Sequence, residues 1–374
     1  MRIGIVCYPT IGGSGVVATE LGKALAEKGH QIHFITYDQP VRLSSLGKNI
    51  FYHEVMVSQY PLFQYTPYEL VLTSKLVDVV KHEKLDVLHV HYAIPHASAA
   101  YMAQQILKDQ GINIPFITTL HGTDITLVGK DPSFEPVITF SINNSNAVTT
   151  VSESLKEDTL QYFDVKKEIE VIPNFICPQR HKSRPNSDLR KSYAADNERV
   201  IMHMSNFRSV KRVHDVVKTF ALIKEKIPAK MVFVGDGPDR FSVEQMCRDL
   251  GTCKDTFFLG KVKDVEEVID IADLFILPSQ TESFGLAALE AMISKVPVIS
   301  TNSGGLPEVI EHGVSGFMSD VGDVEDMAKN AIEILKSEQN HNKFKEGAYQ
   351  QAQKFDIKNI LPRYEELYNS VLNT

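Results

Sequence analysis

Four short stretches place charged or hydrogen-bonding residues where an anionic ligand could be held. Asn206-Phe207-Arg208-Ser209-Val210-Lys211-Arg212 carries three cations within five residues. Arginine can grip a phosphate with two parallel hydrogen bonds and lysine supplies a compact charge, so the pattern suits a diphosphate. It equally suits a solvated basic turn that starts a helix. Thr281-Glu282-Ser283-Phe284-Gly285-Leu286-Ala287-Ala288-Leu289-Glu290-Ala291 sets two carboxylates eight residues apart around a helix start. The first N–H groups of a helix have no partner inside it and attract phosphate oxygens. Glu282 can accept from hydroxyls, and Glu290, on an otherwise apolar stretch, needs donors such as a ribose diol or a salt-bridge partner. Gly12-Gly13-Ser14-Gly15 lets backbone N–H groups approach a ligand, or simply makes a tight turn. It is neither G-x-G-x-x-G nor a Walker loop. His121-Gly122-Thr123-Asp124 ends an apolar run, where a histidine can reach a ligand or serve structure.

These stretches need elements to present them. Apolar runs at 3–7, 32–36, 87–90, 116–120, 147–151 and 169–172 alternate with helical periodicity, as at 16–28, where Val17, Leu21, Ala24 and Leu25 recur and Gly29 follows. Strand, turn, helix and strand in so short a space mark a βαβ unit, and continuous apolar runs mark buried parallel strands. Between 173 and 185 three prolines interrupt the pattern. Alternation then resumes with strands at 200–204, 231–234, 257–259, 274–277 and 298–300 and helices at 213–227, 241–251, 265–272, 285–293 and 324–336. An amphipathic helix is expected at 357–372. The fold class is therefore α/β with two doubly wound domains: 1–172, a linker at 173–190, a second domain at 191–355, and a closing helix at 356–374. Two such domains facing each other would form a cleft between the carboxyl ends of their sheets.

Composition narrows the function. In 374 residues there are 39 Lys+Arg against 47 Asp+Glu, so the net charge is −8 and broad affinity for nucleic acid or anionic membrane is not expected. Apolar residues at 43% and charged residues at 23% exclude a disordered or collagenous chain. Cys7, Cys177, Cys247 and Cys253 lack zinc-site spacing and are expected as reduced thiols. No apolar run reaches the length of a membrane span, and no charged and apolar leader precedes the first strand, so a cytoplasmic protein is expected.

The whole chain resembles the retaining family 4 glycosyltransferases of the GT-B fold. The resemblance rests on the 12–15 loop, His121-Gly122, Pro173-Asn174, Arg208 with Lys211, Gly235-Asp236-Gly237-Pro238, Glu282-x7-Glu290, and Ser303-Gly304-Gly305-Leu306-Pro307-Glu308. The spaced glutamates with the upstream Arg and Lys are the specific part, and the resemblance implies that the helix at 356–374 crosses back to the first domain. A closer resemblance, within that family, runs through Cys7-Tyr8-Pro9-Thr10-Ile11-Gly12-Gly13-Ser14-Gly15, His89-Val90-His91-Tyr92 and His121-Gly122-Thr123-Asp124. It implies transfer of N-acetylglucosamine from UDP-GlcNAc to the hydroxyl of L-malate, the first step of bacillithiol biosynthesis. Another small acceptor, or UDP-GlcNAc epimerisation on the same fold, are the alternatives. No metal or other cofactor is expected, and a homo-oligomer is compatible with the sequence.

Carried residue by residue, the resemblance implies that Arg208 and Lys211 hold the donor diphosphate, with Asn206 on the same loop. Glu290 takes the ribose hydroxyls. Glu282 meets the sugar, and the N–H groups of Phe284, Gly285 and Leu286 lie beside sugar and phosphate. His121 flanks the transferred sugar, Gly13 approaches the phosphates, and Val262 offers backbone to uracil. Malate is a small dianion, and Ser14, Tyr92 and Thr123 are the candidates to bind it. The resemblance further implies front-face attack with retained configuration. The leaving phosphate takes the acceptor's proton, and Glu282 is not a nucleophile.

Overall fold

The computed structural model describes residues 1–10, 12–43, 47–57, 65–181 and 187–373. The chain divides into two units, Met1–Phe175 with Ile357–Thr374, and Ile176–Asp356. The first unit thus runs on to Phe175, into the stretch expected as a linker. Of that stretch, residues 182–186 lie outside the described residues.

Unit 1 is built on a seven-stranded parallel sheet: β1 (Arg2–Val6), β2 (Gln31–Thr36), β3 (Ile50–Glu54), β4 (Val87–His91), β5 (Phe116–Leu120), β6 (Ala147–Thr150) and β7 (Ile169–Val171), in the order β3-β2-β1-β4-β5-β6-β7. β4 and β5 are buried along their whole length. Helices cover both faces of such a sheet, which is why these strands read as unbroken apolar runs. Helix Gly13–Glu27 buries Val17, Leu21 and Leu25 and ends before Gly29, whose φ is 93°. Pairing of Val6 with Val90 and of His91 with Thr119 aligns β1, β4 and β5. The loops that follow these strands therefore leave from the same edge of the sheet.

The amphipathic helix expected at 357–372 is present as Ile357–Leu372 and belongs to this unit. It buries Ile360, Leu361, Tyr364, Leu367 and Tyr368. Arg363 donates to the Val171 carbonyl at 2.6 Å, and the Tyr368 hydroxyl lies 2.7 Å from His89 Nδ1.

Unit 2 carries six parallel strands: β8 (Arg199–Met204), β9 (Ala229–Val234), β10 (Thr256–Phe258), β11 (Leu274–Leu277), β12 (Val298–Thr301) and β13 (Gly316–Ser319), in the order β10-β9-β8-β11-β12-β13. Phe207, Phe220, Phe233 and Phe275 are fully buried in its core. In both units the order reverses beside the first strand, between β1 and β4 and between β8 and β11. Ligands of doubly wound sheets bind at that switch, outside the carboxyl ends of the strands.

Two strands escaped the sequence reading. β3 is a sheet edge with one buried residue in five, so it shows no apolar run. β13 is an edge strand that opens with Gly316, packed so close to Val298 that a Cβ would fall 1.9 Å from its carbonyl oxygen.

Candidate active site

In unit 2, the basic loop follows β8 and the glutamate loop follows β11, the two strands flanking the switch point. Lys211 Nζ donates to Glu282 Oε1 at 2.5 Å, and Ser279 Oγ donates to the same oxygen at 2.8 Å. The Lys211 and Glu282 side chains are 21% and 13% exposed, so the pair sits at a partly sheltered surface. Arg208 and Asn206 are exposed on the same loop. The Arg208 guanidinium has no ion-pair partner among the described residues.

The helix after Glu282 is Leu286–Ile293, capped by Gly285 at φ 96°. None of the Phe284, Gly285 and Leu286 N–H groups donates to a backbone carbonyl among the described residues. A helix start with free donors next to the Lys211–Glu282 pair is suited to an anion. Gly305 N–H donates to the Glu282 carbonyl at 2.8 Å and ties the glutamate loop to the turn after β12. Phe284 is buried, edge-on to Phe355 with ring centroids 5.5 Å apart. Glu290 is 6% exposed within the helix. Val262 is half-buried just past Gly260, whose carbonyl accepts from Gly235 N–H at 2.7 Å, so its turn stands at the end of β9.

In unit 1, Gly13 is exposed at the start of its helix and Ser14 is half-buried beside it. The Tyr92 hydroxyl donates to Ser14 Oγ at 2.6 Å, which joins the loop after β1 to the loop after β4. Tyr92 stands at φ 86°, ψ 140°, where side-chain-bearing residues seldom sit. Burial pushes its phenol up, against its side-chain hydrogen bonds with Ser14 and Thr123. Tyr92 and His121 have ring centroids 5.3 Å apart. Thr123 is exposed. Ser14, Tyr92, His121 and Thr123 thus come together at the ends of β1, β4 and β5.

Residues outside the sequence-derived set hold that group in place. Asp124 is 3% exposed and accepts from Ala93 N–H at 2.8 Å and Gly122 N–H at 3.2 Å, so one carboxylate pins both loops. Burial raises it to about 6, against those backbone donors. His91 Nδ1 lies 2.7 Å from His121 Nε2. Within unit 2, the Ser279 hydroxyl orients Glu282 in the same way. Two of these residues left a trace in the sequence: Asp124 closes the His-Gly-Thr-Asp stretch, and His91 alternates with His89 so as to share one face of β4.

Among the described residues, the one group that could hold a metal ion is His33, His53 and Glu83. His33 Nδ1 and His53 Nε2 are 2.9 Å apart, the separation of an N–H···N hydrogen bond. Two nitrogens on one tetrahedral zinc stand about 3.3 Å apart. No helix among the described residues is long and apolar enough to cross a membrane.

Two doubly wound units, one bearing a basic loop beside a free helix start, have the architecture of GT-B glycosyltransferases. The Anabaena protein HepE (Alr3699), solved in complex with UDP and glucose, shares it at a TM-score of 0.84 and 22% identity, covering 99% of this chain and 100% of its own. Residues 186–351 match the family described as "Glycosyl transferases group 1", and residues 11–180 match "Glycosyltransferase Family 4". The chain belongs to the family 4 glycosyltransferases and is a hexosyltransferase. It is 47% identical over 374 residues to N-acetyl-alpha-D-glucosaminyl L-malate synthase of Bacillus anthracis, covering 100% of this chain and 97% of that relative. It is 28% identical over 336 residues to the uncharacterized glycosyltransferase MJ1607 of Methanocaldococcus jannaschii, covering 85% and 84%.

Proposed function

We propose that this enzyme moves N-acetylglucosamine from UDP-GlcNAc to the hydroxyl of L-malate with retained anomeric configuration, opening bacillithiol biosynthesis in the cytoplasm. Sugar and acceptor follow from the Bacillus anthracis relative, which is 47% identical over the full chain. The donor half rests on one observation above all: Lys211 lies on Glu282 at 2.5 Å, beside three unused N–H groups and the exposed Arg208.

In this reading the bond between the sugar C1 and the phosphate oxygen breaks as the bond from C1 to the malate oxygen forms on the same face. The malate proton passes to the departing phosphate oxygen. Negative charge grows on UDP, and preorganised cations and N–H donors are worth most where charge develops. Lys211 then exchanges Glu282 for the diphosphate, Arg208 adds the second cation, and Glu282 turns its freed oxygen to the sugar hydroxyls. Charge compensation is assigned to these groups and not to a metal. Glu290 takes the ribose diol, Asn206, Gly13 and Val262 line the donor, and Ser14, Tyr92 and Thr123 receive the malate carboxylates.

The test is product analysis. Purified protein is incubated with UDP-GlcNAc and a panel of hydroxy acids, with and without EDTA, and the products are read by mass spectrometry and NMR. The α-linked N-acetylglucosaminyl malate plus UDP is expected, unaffected by EDTA. A β-linked product would overturn retention. Transfer to a different hydroxy acid, or an epimerised donor alone, would overturn the acceptor.

A further inference from the structure

His91 occupies the last position of β4, is fully buried, and lies stacked between His89 and His121 with ring centroids 4.6 and 5.0 Å away. Its Nδ1 meets His121 Nε2 at 2.7 Å, while its Nε2 is buried with no hydrogen-bond partner among the described residues. The His121 ring is half-buried, and its Nδ1 makes no hydrogen bond among the described residues. Burial holds both imidazoles well below their ordinary range, so each is neutral and carries one proton.

One proton must lie between the two facing nitrogens, and it has two sources. If His121 donated it, His91 would carry its own proton on Nε2 and strand an N–H in a buried site. If His91 donates it, what is stranded is only a lone pair. Orphaned buried N–H groups are the rarer and costlier defect. The same neighbourhood already shows the cheaper one. His96 Nδ1 faces the His91 carbonyl at 2.5 Å, which can only accept, so His96 is protonated on Nδ1 and its partnerless Nε2 is a bare lone pair.

We infer that His91 is a positioning residue that donates Nδ1–H to His121 Nε2 and thereby fixes His121 as the Nδ1–H tautomer, a hydrogen-bond donor that cannot act as a base. The arrangement also resists an imidazolium at position 121. That ion would donate from Nε2 and force the proton of His91 onto the orphaned nitrogen. The consequence for catalysis rests on the function proposed above. His121 offers a donor to a substrate oxygen, and the acceptor's proton must leave by another route, which the departing phosphate supplies.

The tautomer itself is measurable without substrate, so it stands or falls apart from the reaction. The full chain labelled with 15N-histidine is examined by long-range 1H–15N correlation, with the His121 signals identified by their loss in His121→Gln. The expected pattern is a protonated Nδ1 and an unprotonated Nε2, unchanged between about pH 5 and 8. The reverse tautomer, or an even mixture, would overturn the inference. His91→Phe removes the donor. It is expected to mix the His121 tautomers and lower kcat on the order of 10-fold, with the KM for malate little changed. His91→Asn places an amide N–H near the lost Nδ1–H and is expected to restore both the pattern and most of the turnover. A folded His91→Phe with wild-type kcat would refute the positioning role. Should it not fold, the wild-type spectrum and His91→Asn still decide.

Discussion

Tyr92 holds its unusual backbone conformation while its hydroxyl closes onto Ser14 at 2.6 Å. Strain of this kind costs about 1–3 kcal/mol and persists where the surroundings over-determine it, typically at sites of function. A phenol and two hydroxyls at one strand edge form a donor set suited to a carboxylate. Hydrogen bonds to charged groups are worth about 1.5–3 kcal/mol. Tyr92→Phe and Thr123→Ala are therefore each expected to raise the KM for malate by roughly 10-fold. Unchanged constants in both would remove these residues from the acceptor site. Asp124 makes a different prediction. Its folded value of about 6 lies above the 3.9 or so of an unfolded aspartate, so between these limits the folded state binds more protons. Its contribution to stability must then fall as pH rises from about 4 to 6 and level off above. In Asp124→Asn that term is gone, so the Tm of the variant relative to wild type should climb through this window and then flatten. A difference independent of pH would contradict the assignment.

At the scale of elements, the switch points decide which side chains meet. Apolar runs and glycine punctuation made the strand and helix order readable, and with it the class of fold. They could not show that Lys211 and Glu282, seventy-one positions apart, make an ion pair. That pairing depends on β8 lying beside β11, a choice made by the sheet and not by either strand alone. The family resemblance, which keeps the two motifs together, was the signal that linked them. The His91–His121 bond was illegible for the same reason, since it needs β4 beside β5. Gly304 shows how tightly the glutamate loop is cast. At φ 62° it lies so close to Glu282 that a Cβ would stand 2.1 Å from the carbonyl oxygen. Gly304→Ala should push Glu282 off Lys211, lower Tm by several degrees and sharply reduce turnover. Gly111 has φ 77° but nothing within 4 Å of a Cβ. Gly111→Ala should cost only its backbone strain and leave turnover intact. Equal effects of the two substitutions on turnover would argue against a shaped loop at Glu282.

Across the whole molecule, the chain leaves unit 1 once and returns once. The two crossings lie side by side, with Ile176 N–H donating to the Phe355 carbonyl at 2.9 Å. The returning helix is part of the core of unit 1 through Tyr364 and Tyr368, both fully buried. Its amphipathic spacing was plain in the sequence, and its return to the first domain was implied by the family resemblance and not by the spacing. The proposed reaction divides along the same line: unit 2 carries the donor's charge compensation and unit 1 the acceptor contacts. Steady-state kinetics of Lys211→Ala with both substrates varied test this most directly. Loss of a group that stabilises the leaving diphosphate should lower kcat by about 10²–10³-fold while the KM for malate stays near wild type. Near-normal turnover would contradict the account.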